Sequence, residues 1–270
     1  MKQLFSSSSA YCARDAAFLA EAAHCAYNKP QEIVAQAARW NYPHFRFLEQ
    51  GNTQAYVMAN DQRVVLVFRG TEPTSPKDWL TNTKLPLTEA LGGKVHRGFW
   101  QDWRDVADLV VEQVTRLRDR QQELWITGHS LGGALSVLAA LTLVTQDQSV
   151  NGVYTFGAPR VGDGDFTAHY NSRLQAQTLR LVNHRDMVPR VPPLQWGYQH
   201  GGQMIYFNQQ GQLQQGSQFW EDMLETMRGM DYGALSDAVR DHDMHAYRAC
   251  IAQNAIAPPP EKYPPNLQLA

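Results

Sequence analysis

Cysteine is scarce in this sequence: 3 residues in 270, at Cys12, Cys25 and Cys250. Cysteines so few and so scattered do not make a disulfide framework, and a chain of this length can bury its core without one. Thiols are therefore expected, with a bridge from Cys250 to Cys12 or Cys25 as the alternative. Long apolar runs are also missing, since none approaches the ~20 residues that span a bilayer. An excess of one charge is absent too: 24 Lys and Arg stand against 26 Asp and Glu. A net charge of -2 gives no electrostatic reason to expect nucleic acid or an anionic surface as partner. No stretch has the composition of a linker. The first nine residues lack the apolar centre of a secretory signal, so the expected compartment is cytoplasmic, or outside by export without a cleavable signal, or secreted if the chain is already processed. The pair His242 and His245 has no third ligand pattern beside it, and neither a metal nor a cofactor is expected.

What is present centres on one stretch. The apolar run Leu124-Trp125-Ile126 leads into Thr127-Gly128-His129-Ser130-Leu131-Gly132-Gly133-Ala134. A Gly-x-Ser-x-Gly core between a strand and a helix makes a nucleophile elbow, in which a strained turn pushes the serine oxygen out of the sheet. Ser130 is the candidate nucleophile. The backbone N–H of Leu131, at the start of the following helix, is a candidate donor to a developing oxyanion.

The remaining elements alternate. A covering helix is predicted over 10–27, ended by Asn28 and Pro30, with His24 an ordinary half-buried histidine. Residues 54–59 and 63–68 read as a hairpin, and the second strand, apolar on both faces, belongs inside the sheet. It ends at Arg69-Gly70-Thr71, where Thr71 fits both an oxyanion donor and a plain strand-ending residue. Over 72–93 the reading is a loop containing a short helix, Ser75-Pro76-Lys77-Asp78 followed by Trp79 and Leu80, either a lid beside the site or a fixed surface helix. A helix from about 101 to 120 follows, preceded by His96, whose role reads as structural. Strands at 152–157 and 178–183, with a helix at 163–172 between them, complete a mainly parallel central sheet flanked by helices, an α/β fold taken as one domain over 1–270. Asp186 falls just past the end of a strand, where an acid orienting a histidine is needed, although turns commonly hold aspartate for other reasons. Residues 208–216 read as a loop. The stripe Phe219, Trp220, Met223, Leu224 and Met227 reads as core packing or as the wall of an acyl groove.

Ser130, Asp186 and His242 follow the chain order Ser, Asp, His. The sequence resembles the class 3 lipase family, the fungal-type triacylglycerol lipases and their relatives, from about Tyr56 to Tyr247. The motifs that carry the likeness are Val67-Phe68-Arg69-Gly70-Thr71, Asp78-Trp79-Leu80-Thr81-Asn82, Val95-His96-Arg97-Gly98-Phe99, the Ser130 stretch, Thr155-Phe156-Gly157-Ala158-Pro159-Arg160-Val161-Gly162 and Asp186-Met187-Val188-Pro189-Arg190. The resemblance implies an α/β-hydrolase fold and a carboxylic ester hydrolase acting through an acyl-enzyme, with an acyl-ester lipid as substrate, met at a lipid–water interface. It implies Ser130 as nucleophile, Asp186 as orienting acid, Thr71 and Leu131 as oxyanion donors, and Trp79, Leu80 and His129 as substrate contacts. Relatives place the histidine before a tyrosine as His-x-Met/Leu-x-x-Tyr, which His242-Asp243-Met244-His245-Ala246-Tyr247 matches, so His242 is preferred to His245. The chain departs from the secreted fungal pattern in lacking disulfide staples and in its 208–235 insert. Phospholipase and aryl or feruloyl esterase activity are the alternatives on the same scaffold; a catalytically silent binding module is the alternative outside enzymes.

Overall fold

The computed structural model describes residues 11–71, 86–119, 121–214 and 240–255. Trp79, Leu80 and the stripe at 219–227 lie outside these residues. Helix α1 (Ala13–Cys25) is followed at once by α2 (Pro30–Arg39), so the proline expected to end one helix opens the next, where its fixed φ and missing N–H cost nothing. Strands β1 (His44–Gln50), β2 (Thr53–Ala59) and β3 (Arg63–Phe68) form an antiparallel meander. β4 (Leu87–Ala90) and β5 (Gly93–His96) pair as a small separate hairpin, so the second part of the expected 72–93 loop is regular structure.

Helix α3 spans Arg97–Leu117 and starts four residues earlier than its apolar rhythm suggests. His96 explains the early start: its Nδ1 accepts the Phe99 N–H at 3.2 Å and caps the helix. Then come β6 (Glu123–His129), α4 (Leu131–Thr145), β7 (Gly152–Phe156), α5 (Gly164–Leu174) and β8 (Thr178–Asn183). β9 (Gln203–Phe207) precedes the expected 208–216 loop, and the short β10 (Leu213–Gln214) replaces part of it, with a turn at 208–212 between them. Helix α6 is Met244–Ala255.

The eight strands stand in the order β1-β2-β3-β6-β7-β8-β9-β10, and β3, β6, β7, β8 and β9 are parallel neighbours. A parallel sheet needs crossovers that cover both faces, and the two sets of buried side chains reflect this. Along β3, Val64, Leu66 and Phe68 pack with α3, α4 and α5, while Val65 and Val67 pack with α1, α2 and α6. Helix α4 is apolar on nearly every side because it lies under the sheet with α3 and α5 around it; Trp103 Nε1 donates to Thr142 Oγ1 at 3.1 Å across the α3–α4 contact. No helix among the described residues is long and apolar enough to cross a membrane.

Candidate active site

The carboxyl ends of β6, β7 and β8 meet at one edge of the sheet, the usual place for a site in an open parallel sheet. Ser130, the residue between β6 and α4, has φ 59° and ψ -128°, a left-handed strained turn on a non-glycine residue. Its N–H donates to Phe156 O at 2.9 Å, which ties the turn to β7. The flanking glycines are a steric requirement: a β-carbon on Gly128 would lie 2.3 Å from the backbone of Gly132, and one on Gly132 would lie 2.4 Å from Phe68 O. Leu131 opens α4, so its N–H has no acceptor inside the helix. Two residues past the neighbouring strand β3, Gly70 lies against the same turn, since a β-carbon there would sit 3.2 Å from Ser130 Cβ. Thr71, exposed, follows directly.

Asp186 and His242 come together because their loops are tied to each other. Asp241 accepts from the Arg185 N–H at 3.1 Å and faces His184 Nδ1 at 3.3 Å, and its carbonyl accepts from Asn183 Nδ2 at 2.9 Å. The fully buried Asp186 carboxylate accepts from Val188 N–H at 2.9 Å, from the Tyr247 hydroxyl at 2.6 Å, and from His242 Nδ1–H at 2.9 and 3.0 Å. Because a carboxylate only accepts, Nδ1 carries the imidazole proton, and Nε2 is left to accept from Ser130 Oγ at 2.9 Å. Such a chain of contacts can draw a proton off the serine and stabilise the imidazolium that forms. His245 takes no part in these contacts: its ring centroid lies 4.7 Å from that of His24, and its Nδ1 lies 3.3 Å from Arg248 Nη1.

Three supports around this cluster carry no expected role in the sequence. Tyr247, three residues beyond the start of α6, bonds Asp186 and takes the Asn183 N–H at 3.1 Å. Burial first, and Asp186 second, push its phenol well above the ordinary value, so it remains a donor. Gly157 has φ 59°, and a β-carbon there would fall 2.7 Å from Asp186 Oδ2 and 2.9 Å from His242 Nδ1. Tyr27, at the end of α1, lies over Arg69 with 5.5 Å between Cζ and the ring centroid, and its hydroxyl donates to His129 Nδ1 at 2.7 Å. His129, whose ring nitrogens are both engaged, is buried, and its Nε2–H donates to the His242 carbonyl at 2.7 Å. Burial, then the nearby His242, hold its pKa well below the ordinary value and keep it neutral. The spacing His242 to Tyr247 was the visible hint of Tyr247; nothing local marks Tyr27.

Removing the Tyr247 hydroxyl should act through Asp186. Tyr247→Phe is expected to lower kcat about tenfold with KM unchanged, the low end of what a hydrogen bond to a charged group contributes. A lower Tm with kcat intact would instead make the phenol purely structural.

Residues 65–196 match the family model for class 3 lipase. A lipase of Rhizomucor miehei is 34% identical over 163 residues, covering 56% of this chain and 44% of that protein. The secreted mono- and diacylglycerol lipase 1 of Fusarium solani is 32% identical over 151 residues, covering 54% and 45%. The match thus spans less than half the length of these curated relatives. A solved structure of a triacylglycerol lipase, described as having a serine protease triad as its catalytic centre, superposes with a TM-score of 0.58 at 26% identity, covering 72% of this chain and 79% of that one. The parallel sheet, the strained serine turn after β6 and these likenesses agree on an α/β-hydrolase fold. The elbow, the Gly70-Thr71 loop and the Asp186 turn all lie inside the residues that match class 3 lipase, the family to which this part of the chain is similar.

Proposed function

We propose that the chain is a carboxylic ester hydrolase, a lipase that cleaves acyl esters of glycerol through an acyl-enzyme. The observation that carries this reading is the contact of one imidazole with both the Ser130 hydroxyl and the Asp186 carboxylate, each at 2.9 Å. His242 Nε2 takes the Ser130 proton as Oγ attacks the ester carbonyl. The tetrahedral oxygen is held by the N–H groups of Leu131 and Thr71, an arrangement in which one donor contributes roughly a hundred- to a thousandfold in turnover. His242 then returns the proton to the departing alcohol oxygen, and a water molecule, activated by the same nitrogen, releases the carboxylic acid. Relatives named as lipases of triacylglycerols or of mono- and diacylglycerols support the substrate class. In this reading the substrate is met at a lipid–water interface.

A series of p-nitrophenyl esters tests the substrate class. Each methylene buried in a groove contributes about 0.8 kcal/mol, roughly fourfold in kcat/KM. A lipase should therefore gain from butyrate through octanoate and beyond. A maximum at acetate or butyrate would mark a small esterase pocket, and no turnover of any ester would favour a binding module without chemistry.

A further inference from the structure

The N-terminal helices precede the residues that match the family model, 65–196, yet one side chain from their junction reaches the centre of the site. Tyr27 stands two residues past α1. Its hydroxyl meets His129 Nδ1 at 2.7 Å, and His129 Nε2 meets, also at 2.7 Å, a carbonyl that belongs to His242 itself. The direction of each bond follows from the last one: a carbonyl only accepts, so Nε2 holds the ring proton, Nδ1 accepts, and the phenol is the donor. Were Nδ1 to carry the proton, two lone pairs would face each other at the His242 carbonyl. The phenol therefore selects the tautomer in which His129 can hold His242. The two imidazoles also pack against each other, with ring centroids 4.5 Å apart and planes inclined by 35°. His242 is thus held on two sides, its ring by Asp186 and its main chain by His129.

The phenol has little freedom to turn away. Arg69 Cζ lies 5.5 Å from the centre of its ring, and the guanidinium is itself anchored, with Nη1 donating to Gln54 Oε1 at 2.8 Å. A β-carbon on Gly70 would fall 2.4 Å from the phenol oxygen and 2.6 Å from His129 O, so glycine at this position leaves the space that the hydroxyl occupies. Placement matters at this point because the reaction rate falls steeply, on the order of a hundredfold, when reacting groups shift by about 1 Å.

We propose that Tyr27 is a positioning residue for ester hydrolysis, acting through His129 on the main chain of His242 so that Nε2 stays aimed at Ser130 Oγ. The inference rests on the reading of Ser130 and His242 as nucleophile and base. It gives the junction of α1 and α2 a task in catalysis beyond covering the sheet.

Tyr27→Phe removes the hydroxyl and keeps the ring beside Arg69. In the full chain it should lower kcat on p-nitrophenyl butyrate about tenfold with KM unchanged. A readout that mere destabilisation does not move is proton NMR of protein carrying isotope-labelled histidine, at a temperature far below Tm. There the His242 Nδ1–H that is bonded to Asp186 should exchange with water about tenfold faster in the phenylalanine variant. Action through His129 makes the losses non-additive: His129→Asn should lower kcat by a similar factor, and adding Tyr27→Phe to it should cost less than about twofold more. Should His129→Asn fail to fold, kcat and proton exchange in Tyr27→Phe decide the question. Fully additive losses would overturn the route through His129. Turnover within about twofold of the parent, or a His242 proton that exchanges at the parental rate, would overturn the role of Tyr27. A parent chain that turns over no ester would end the reading of function, and the exchange measurement would still decide whether Tyr27 holds His242.

Discussion

Ser130→Ala is expected to lower kcat on p-nitrophenyl butyrate by about a millionfold while leaving the fold intact. The size follows from the unity of the relay: without Oγ, His242 Nε2 has no proton to take, and the remaining donors can only polarise the ester for attack by water. The fold should survive because the turn is held by backbone, through Ser130 N–H to Phe156 O at 2.9 Å and Gly133 N–H to Ser130 O at 2.9 Å, and alanine keeps both. Circular dichroism and Tm alongside kcat separate lost chemistry from lost structure. Turnover within a hundredfold of the parent, in a folded variant, would remove Ser130 from the reaction.

Asp186→Asn is the next largest effect, a loss of about ten-thousandfold in kcat at neutral pH with the tertiary structure retained. Both carboxylate oxygens accept: Oδ1 from Val188 N–H and Oδ2 from the Tyr247 hydroxyl, with His242 Nδ1–H shared between them. An amide offers one acceptor and one donor. Its carbonyl is claimed by Val188, whose backbone N–H cannot turn away, whereas the Tyr247 hydroxyl can. The NH2 then faces Nδ1 and selects the tautomer with the proton on Nε2, which cannot accept from Ser130. Kinetics across pH check the argument, and near-parental kcat at neutral pH in the asparagine variant would contradict it.

The parts of the site legible in the sequence are those whose reasons are local. The strained serine turn was readable because the residues that make room for it lie within two positions of it, and β3 was readable because an apolar run facing helices on both sides has no polar alternation. The preference for His242 over His245 came from the resemblance, through the pattern that relatives show before a tyrosine. The rest depends on contacts between distant segments. β1 exposes most of its residues and buries only Leu48, so it carries little periodic signal. α2 begins on the proline that looked like a stop, and α3 gains its first turn from the His96 cap rather than from apolar rhythm. The convergence of Asp186 and His242 is enforced by Asp241, and His129 is held by Tyr27, more than a hundred residues earlier. None of these pairings leaves a pattern along the chain.

Peptide mapping after treatment with an organophosphate ester addresses the central assignment most directly, because such reagents phosphorylate only a serine that a base has activated. The account predicts one adduct, on Ser130, formed as esterase activity is lost and absent from the Ser130→Ala protein. An adduct on a different residue, or full inhibition with Ser130 unmodified, would contradict it.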